Sequence, residues 1–474
     1  MTKLDHKAFF WKDFDENKNP INPKECQIVF NPNDGGTISY LLDLNTNVNY
    51  DEIQNKKIEI LYGHTSQGKP CTLYNLQFKN LLSKTSLACK IHELIYSIEY
   101  ICYGGWIDVT QPLNHVLVRY SHLEGWFNLI EKRDIESPRE DIFIVENIIV
   151  HNAKVKDVAE KDEIGFFVQN SWNTQLGARG GEVRYQLKNY LLVGKPNFFT
   201  FQEYIQLIKK LKNFFEIVSF YSHKNVFIEE FIIEQKQKDL PLDIPNRIEV
   251  LFQQDEYIYE DKIHIDYLFE YKDIKENFIK ILNQWINNYD KNINEFTAFL
   301  NVITNKGSRL NIYSDLFQLI SALEAYHRRN YVIDEAKQEE YNEYLNDLFK
   351  SLETCLNEKD TLKIIQSLQY NYQPNFRTRL KEMIEISDIK SFLPLNNKIY
   401  KSLNNYIYNL RNTIAHSKDI IIIDKKIEHS LEFLKIVSLL VMVKDISLSK
   451  LDMSHCRSKM NINNLDKKLR ESFG

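Results

Sequence analysis

The sequence is short of paired cysteines, of long apolar runs and of surplus positive charge, and each shortage closes off a class of protein. Six cysteines, Cys26, Cys71, Cys89, Cys102, Cys355 and Cys456, are scattered through 474 residues with no CxxC pair and no zinc spacing. That usage suits a reducing cytosol and argues against a disulfide framework or a structural metal site. The longest apolar stretch, Ile436 to Val443 in KIVSLLVMVK, is far too short to span a bilayer. The opening residues, MTKLDHKAFFWKDFDENKNP, contain no apolar core of the kind a secretion signal needs. A cytoplasmic protein with no membrane partner is therefore expected. The net charge of -5 excludes a generally basic nucleic-acid binder, so any contact with RNA must come from a local patch. No internal repeat and no long low-complexity linker is present.

What is there divides into two textures. From about Cys26 to Tyr190, short β-favouring runs alternate with turn residues, as in CQIVFNPNDGGTISYLL, KKIEILYG, CTLYNLQF, HVLVRYS, IFIVENIIV and EIGFFVQN. Apolar alternation punctuated by Gly, Asn and Asp predicts antiparallel strands in a sandwich or barrel-like module. A helix follows, with Ile205, Ile208, Leu211 and Phe215 on one face, and then more strand, including RIEVLFQ. The segment QKQKDLPLDIPNR reads as a loop. From about Asp273 helical periodicity takes over. The stripes are Phe278, Ile281, Leu282, Trp285; Leu316, Leu319, Ile320, Leu323; Ile399, Leu403, Tyr406, Leu410; and Ile427, Leu431, Leu434, Leu440. Tyr406, on its stripe, is expected in the core. The expected fold class is α+β: a β-rich N-terminal domain over residues 1–270, then an all-α helical bundle over 271–474.

Two glycine-bearing segments need separate readings. GHTSQGKP, Gly63 to Pro70, carries the spacing of a phosphate-binding loop through Gly68 and Lys69. Its next residue should be Ser or Thr opening a helix, yet it is Pro70 followed by strand-like CTLYNLQ. Without the hydroxyl and the helix N-terminus, the basis for holding a phosphate is gone, and a hairpin turn is expected. GARGGE, Gly177 to Glu182, reads as a flexible turn in which Arg179 is the one residue suited to a phosphate. Asp13 and Asp15 have no metal-ligand partner nearby. No metal and no cofactor are expected.

The chemistry-bearing stretch is YNLRNTIAHSKD, Tyr408 to Asp419. Arg411, Asn412 and His416 lie near the end of an amphipathic helix. A histidine exchanges protons near neutral pH, an arginine forks onto two phosphate oxygens, and an asparagine donates to phosphate or orients the imidazole. Together they suit metal-free attack of a 2′-hydroxyl on the adjacent phosphorus. At ~100° per residue, Asn412 and His416 share a helix face while Arg411 sits roughly 140° from His416. Convergence then requires the helix to fray or bend near Ala415, or two copies of the site to meet across a dimer. Taken alone, the triplet reads first as the polar end of an ordinary helix.

Arg-Asn followed by His, on the penultimate major helix of a C-terminal bundle, resembles the HEPN superfamily of nucleases. Their motif is Arg, a polar residue, three others, then His, and Arg411, Asn412 and His416 fit it without a gap. LFQLISALEAYHRRN, Leu316 to Asn330, is similar to an earlier helix of the ApeA-like branch. There a glutamate followed by an aromatic-His-Arg step is typical; here these are Glu324, Tyr326, His327 and Arg328. In the N-terminal half, FFWKDF, GGTISYLL and ILYGHTSQGKPCTLYNL resemble the ApeA N-terminal domain. The resemblance covers nearly the whole chain.

That resemblance implies a cytoplasmic antiphage effector acting by abortive infection. Its HEPN domain is expected to cut RNA, tRNA among the candidates, leaving 2′,3′-cyclic phosphate and 5′-hydroxyl ends. Its β-rich domain is expected to sense or restrain, answering a phage-derived trigger. A homodimer is implied in which two Arg–His sets line one composite site. The alternative is a noncatalytic HEPN module that dimerises or regulates a partner. Around the motif the readings stay open. Glu324 either fixes Arg411 by a charge-assisted hydrogen bond or is a structural ion-pair partner. Arg328, Arg329 and Lys418 are RNA-phosphate candidates set against a solvated helix end, Lys401 is a weaker one, and Tyr408 is placed to stack on a base. His327 is expected to border the helix interface.

Overall fold

The computed structural model describes residues 1–17, 19–42, 57–85, 90–127, 130–131, 149–150, 164–176, 183–219, 225–235, 246–254, 267–304, 312–331, 335–368, 374–415, 424–444, 446 and 462–474. The chain divides into two units. The first is Met1–Lys212, Val226–Ile265 and Glu270–Lys272; the second is Asn213–Asn225, Asp266–Phe269 and Asp273–Gly474.

Period-two alternation builds the first unit. In β2 (Lys24–Asn31) Cys26, Ile28 and Phe30 are buried while Glu25, Gln27 and Val29 face outward. Its neighbours are β1 (Leu4–Trp11), β3 (Gly35–Leu42), β4 (Ile58–Thr65), β5 (Pro70–Thr85) and β6 (Lys90–Tyr103). The antiparallel order β3-β2-β1-β4-β5, with both β3 and β5 paired to β6, closes these six strands into a barrel. Closure leaves no free edge on this part of the sheet. Leu4, Phe10, Ile28, Phe30, Leu73, Tyr96 and Ile101 fill the barrel's core.

Strand β6 is long enough to serve two partners on one edge. Residues from His92 to Ile98 pair with β3, while Tyr100 to Tyr103 pair with β13 (Asn246–Phe252). From there the sheet continues as a wing through β12 (Ile228–Gln235), β7 (Leu113–Tyr120), β11 (Val183–Phe199) and β10 (Gly165–Leu176). A separate short ladder joins β8 (Ile130–Glu131) to β9 (Ile149–Val150). IFIVENIIV enters the described structure only through that ladder, and KQKDLPLDIP, GARGGE and Arg179 lie outside the described residues.

The GHTSQGKP segment is a β-hairpin. Thr65 N–H donates to the Lys69 carbonyl at 2.9 Å, Gly68 N–H to the Thr65 carbonyl at 2.8 Å, and Gly68 adopts φ +73°. A Cβ on Gly63 would sit 2.3 Å from the Phe10 ring, so glycine is required there by close approach. Cys26, Cys71 and Cys102 are free core thiols; burial pushes Cys26 and Cys71 up to about 12 and holds them protonated. Cys355 is exposed, and Cys89 and Cys456 lie outside the described residues.

On the wing, a carboxylate gathers cations from neighbouring strands. Glu230 accepts from Lys188 Nζ at 2.6 Å, from Arg119 Nη1 at 3.0 Å and from the Tyr190 hydroxyl at 2.6 Å. Burial raises its pKa, the Lys188 and Tyr190 hydrogen bonds and the Lys188 and Arg119 charges lower it, and the net shift is down.

Among the described residues, helices α1 (Leu123–Phe127) and α2 (Phe201–Val218) accompany the strands. From Asp273 on, the elements among the described residues are all helices. In order come α3 (Tyr271–Ile274, begun in the first unit), α4 (Phe278–Lys291), α5 (Ile293–Thr304), α6 (Ile312–Asn330), α7 (Glu335–Glu353), α8 (Glu358–Leu368), α9 (Phe376–Ile386), α10 (Ile389–Phe392), α11 (Asn397–Ala415), α12 (Lys425–Lys444) and α13 (Ile462–Phe473). The stripe residues Trp285, Leu319, Leu323, Leu403 and Leu434 are all buried. Helix α6 is the hub, touching α5, α9, α11 and α12. Helix α12 departs from the one-stripe expectation. It is buried on nearly every side, Ser430 and Ser438 included, because helices surround it. No helix among the described residues is long and apolar enough to cross a membrane.

One expectation is corrected here. Tyr406 is not a core residue: it is half-buried, its hydroxyl donates to Asp424 Oδ1 at 3.2 Å, and its ring packs edge-on against Phe473. Its neighbour Ile407 takes the core position, with no exposed surface. A phenol at the border of a stripe keeps its ring covered and its oxygen on a polar partner.

Candidate functional site

Three helix segments converge at one end of the bundle: the last turns of α6 and α11 and the first turns of α9. Each is placed by its apolar stripe. Leu316, Leu319 and Leu323 fix the rotation of α6, Leu403, Ile407 and Leu410 that of α11, and Phe376, Leu380 and Met383 that of α9. Asn375 caps α9, its side chain accepting from the Thr378 N–H at 3.0 Å.

At the centre is Glu324. One carboxylate oxygen accepts from Arg328, four residues on along α6, and the other lies 3.6 Å from Arg411 Nη2 on α11. Of its two sequence readings, the structure therefore brings Glu324 to Arg411 and at the same time pairs it within its own helix. Arg411 Nη1 also donates to Asn412 Oδ1 at 3.3 Å, and the guanidinium lies 6.0 Å from the Phe376 ring centroid. The Tyr408 ring stacks on Phe376 at 6.5 Å with 15° between planes. The Arg411 side chain is thus oriented by a carboxylate, an amide and a ring, yet remains 33% exposed. One carboxylate shared by two guanidiniums leaves a net positive charge there.

His327 is turned inward. It is buried, and its Nε2 donates to Glu382 Oε2 on α9 at 2.6 Å, while Nδ1 is buried with no hydrogen-bond partner among the described residues. Burial lowers its pKa, Glu382 opposes, and the net direction is down. A neutral imidazole with Nε2–H fits this setting, because an unpartnered lone pair costs less than an unpartnered N–H. Arg379 is buried alongside, its Nε donating to the Pro374 carbonyl at 2.7 Å. Burial and the Arg328 charge lower its pKa while Glu324 and Glu382 raise it, so these groups form one electrostatic cluster.

The remaining candidates separate. Arg328 is largely exposed beside Glu324. Arg329 is tied elsewhere: Nη1 donates to the Lys291 carbonyl at 2.8 Å and Nη2 pairs with buried Glu295 at 3.2 Å, fastening α6 to α4 and α5. His416 and Lys418 lie outside the described residues; α11 ends at Ala415, the residue before His416. Phe376, Arg379 and Glu382 were missed by sequence reasoning. Their signal was the asparagine cap followed by the FRTRLKEMIEI stripe. Among the described residues no three His, Cys, Asp or Glu side chains gather as metal ligands would.

Comparison with protein families returns two matches, in chain order. Residues 5–285 match ApeA N-terminal domain 1, and residues 317–452 match the ApeA-like HEPN domain. Comparison with curated proteins and with solved structures returned no match. The HEPN match spans α6 through α12, including Glu324, Arg411 and His416, and connects this region with an RNA-related nuclease role in antiphage defence. With its N-terminal match alone covering more than half of its length, the chain belongs to the ApeA family, carrying an ApeA N-terminal domain ahead of an ApeA-like HEPN domain.

Proposed function

We propose that the chain is a metal-independent endoribonuclease of antiphage defence. The supporting observation is Arg411: a guanidinium one-third exposed, oriented by Glu324 and Asn412, five residues before His416 on the HEPN motif. In this reading the 2′-oxygen attacks the adjacent phosphorus and the 5′-oxygen leaves. His416 carries the proton from the 2′-hydroxyl or to the 5′-oxygen. Arg411 stabilises the charge that grows on the phosphate oxygens. The Asn412 Oδ1 accepts from Arg411, which leaves its Nδ2 to donate to the phosphate. Glu324 is a positioning residue, and Arg328 and Lys418 supply nearby charge. The products carry 2′,3′-cyclic phosphate and 5′-hydroxyl ends.

The wider reading assigns residues 1–270 to sensing or restraint and 271–474 to cleavage. It takes the protein as a cytoplasmic homodimer with a composite site, released by a phage-derived trigger to cut RNA, tRNA included, and abort infection. The first test is RNA incubated with the protein in EDTA and examined for end groups. Cyclic-phosphate ends that disappear in Arg411→Ala and His416→Ala, with both variants still folded, are the expected result. Intact RNA with and without phage lysate would leave the noncatalytic module as the better account. Mixing the two inactive variants tests the composite site: partial recovery of cleavage is expected, and none would count against it.

A further inference from the structure

A groove of about 560 Å³ runs between α9 and α11, beside the candidate site but lined by different residues. Its charge is one-sided. Arg377, Lys381, Lys390 and Lys401 line it, and Glu385, which sits 3.5 Å from Lys390, is its acidic residue. Asn404 and Asn405 supply amides. Asn404 is buried, at 8% exposure, and its Nδ2 donates to the Arg377 carbonyl at 3.1 Å. That bond fixes the amide, leaving Oδ1 as a buried acceptor with no partner among the described residues; Asn405 Oδ1 is in the same state. Unfilled buried acceptors are costly, and lining a groove they mark a place where a ligand's donors belong.

The groove also continues the motif. At ~100° per residue, Asn397, Lys401, Asn404, Tyr408 and Arg411 fall on one face of α11. Asn404 precedes Arg411 by ~10 Å along the axis, at 1.5 Å per residue. A helix face bearing cations and amide acceptors, leading to a partly exposed arginine, suits a polyanion with hydrogen-bond donors on its bases.

We propose that this groove holds the single-stranded RNA flanking the cut. Arg377, Lys381 and Lys401 take backbone phosphates, and the Asn404 and Asn405 oxygens accept from base amino groups. The proposal rests on the ribonuclease reading and adds to it where the substrate lies.

The test measures binding separately from cleavage. Fluorescent single-stranded oligonucleotides are titrated against the full-length His416→Ala protein by anisotropy. Lys381→Glu with Lys401→Glu, both exposed, should weaken binding about tenfold or more and reduce the salt dependence of log Kd by about 1.4. Unchanged affinity and salt slope would overturn the proposal, even if the wild-type chain cleaves RNA. Oligo(A) should bind more tightly than oligo(U), with the gap closing in Asn405→Leu. Equal affinity for the two would remove the amides from the assignment. In the catalytically intact chain, the same charge reversal should slow cleavage of a long strand but spare a dinucleotide that cannot reach the groove. Loss of both equally would place Lys381 and Lys401 at the scissile linkage instead. Absence of any cleavage would count against the ribonuclease reading while leaving the binding result to stand or fall by itself.

Discussion

Glu230 in the β-rich unit and Glu324 in the helical unit do the same thing with opposite outcomes. Each carboxylate gathers two cations. Around Glu230 the arrangement is closed: Arg119 and Lys188 approach at 3.0 and 2.6 Å, a tyrosine hydroxyl fills the second oxygen, and Arg119 is 11% exposed. Around Glu324 the arrangement is open: Arg411 stands off at 3.6 Å and keeps a third of its side chain in contact with solvent. A closed cluster satisfies its own charges and holds strands in register. An open one orients a cation and leaves it able to meet a further anion. Charge pairing alone therefore does not mark a site; the exposure left over does.

The sharpest way to break this comparison is to remove the open cation. Arg411→Ala and His416→Ala should each lower cleavage by about 10²-fold or more, with thermal unfolding little changed. Severe destabilisation in Arg411→Ala would make the open cluster structural after all. Next in size is the closed cluster. Glu230→Gln should cost about 1–2 kcal/mol in urea unfolding, since Lys188 loses its carboxylate while Arg119 keeps Glu229 at 2.7 Å. Cleavage per folded molecule should be unaffected. A crippled enzyme of normal stability would overturn the contrast. Glu324→Gln should behave in the reverse sense, with kcat down about tenfold and stability changed by less than about 1 kcal/mol.

The smallest effect concerns pH. His327 has a lowered pKa when folded, so between the folded and unfolded values the unfolded chain binds more protons. Stability should fall as pH drops through about 6.5, with a slope of at most ~1.4 kcal/mol per unit. Urea unfolding at pH 7.5 and 5.5, with His327→Gln as the flatter control, reads this directly. Stability rising on acidification would mean that His327 and Glu382 form a charged pair.

Much of this was legible without coordinates, for reasons that differ by element. Alternation in CQIVF and the stripe through Phe278, Ile281, Leu282 and Trp285 each state which face is buried, and both faces are buried as expected. Pro70 after Gly68 and Lys69 sufficed to turn a nucleotide loop into a hairpin. Between the sandwich and barrel both expected, the sequence did not choose, because closure depends on β6 pairing with both β3 and β5, and ladder partners far apart in the chain leave no local trace. In the candidate site, the motif and the helix position pointed to Arg411 and Glu324, which the structure brings to 3.6 Å. Glu382 and Phe376 did not, because their importance comes from α9 being rotated by its own stripe toward α6 and α11. Tyr406 was misplaced by one position, since a 3.6-residue period does not resolve adjacent residues at the edge of a stripe.

Helix α11 bears Lys401 and Arg411 on one continuous rod. If the proposed groove holds RNA, a phosphate on Lys401 sits a set interval of ~15 Å along the axis from Arg411, and α11 would serve as a ruler as well as a scaffold. Lengthening it by one residue between those positions would turn Lys401 and Arg411 ~100° out of alignment without removing either.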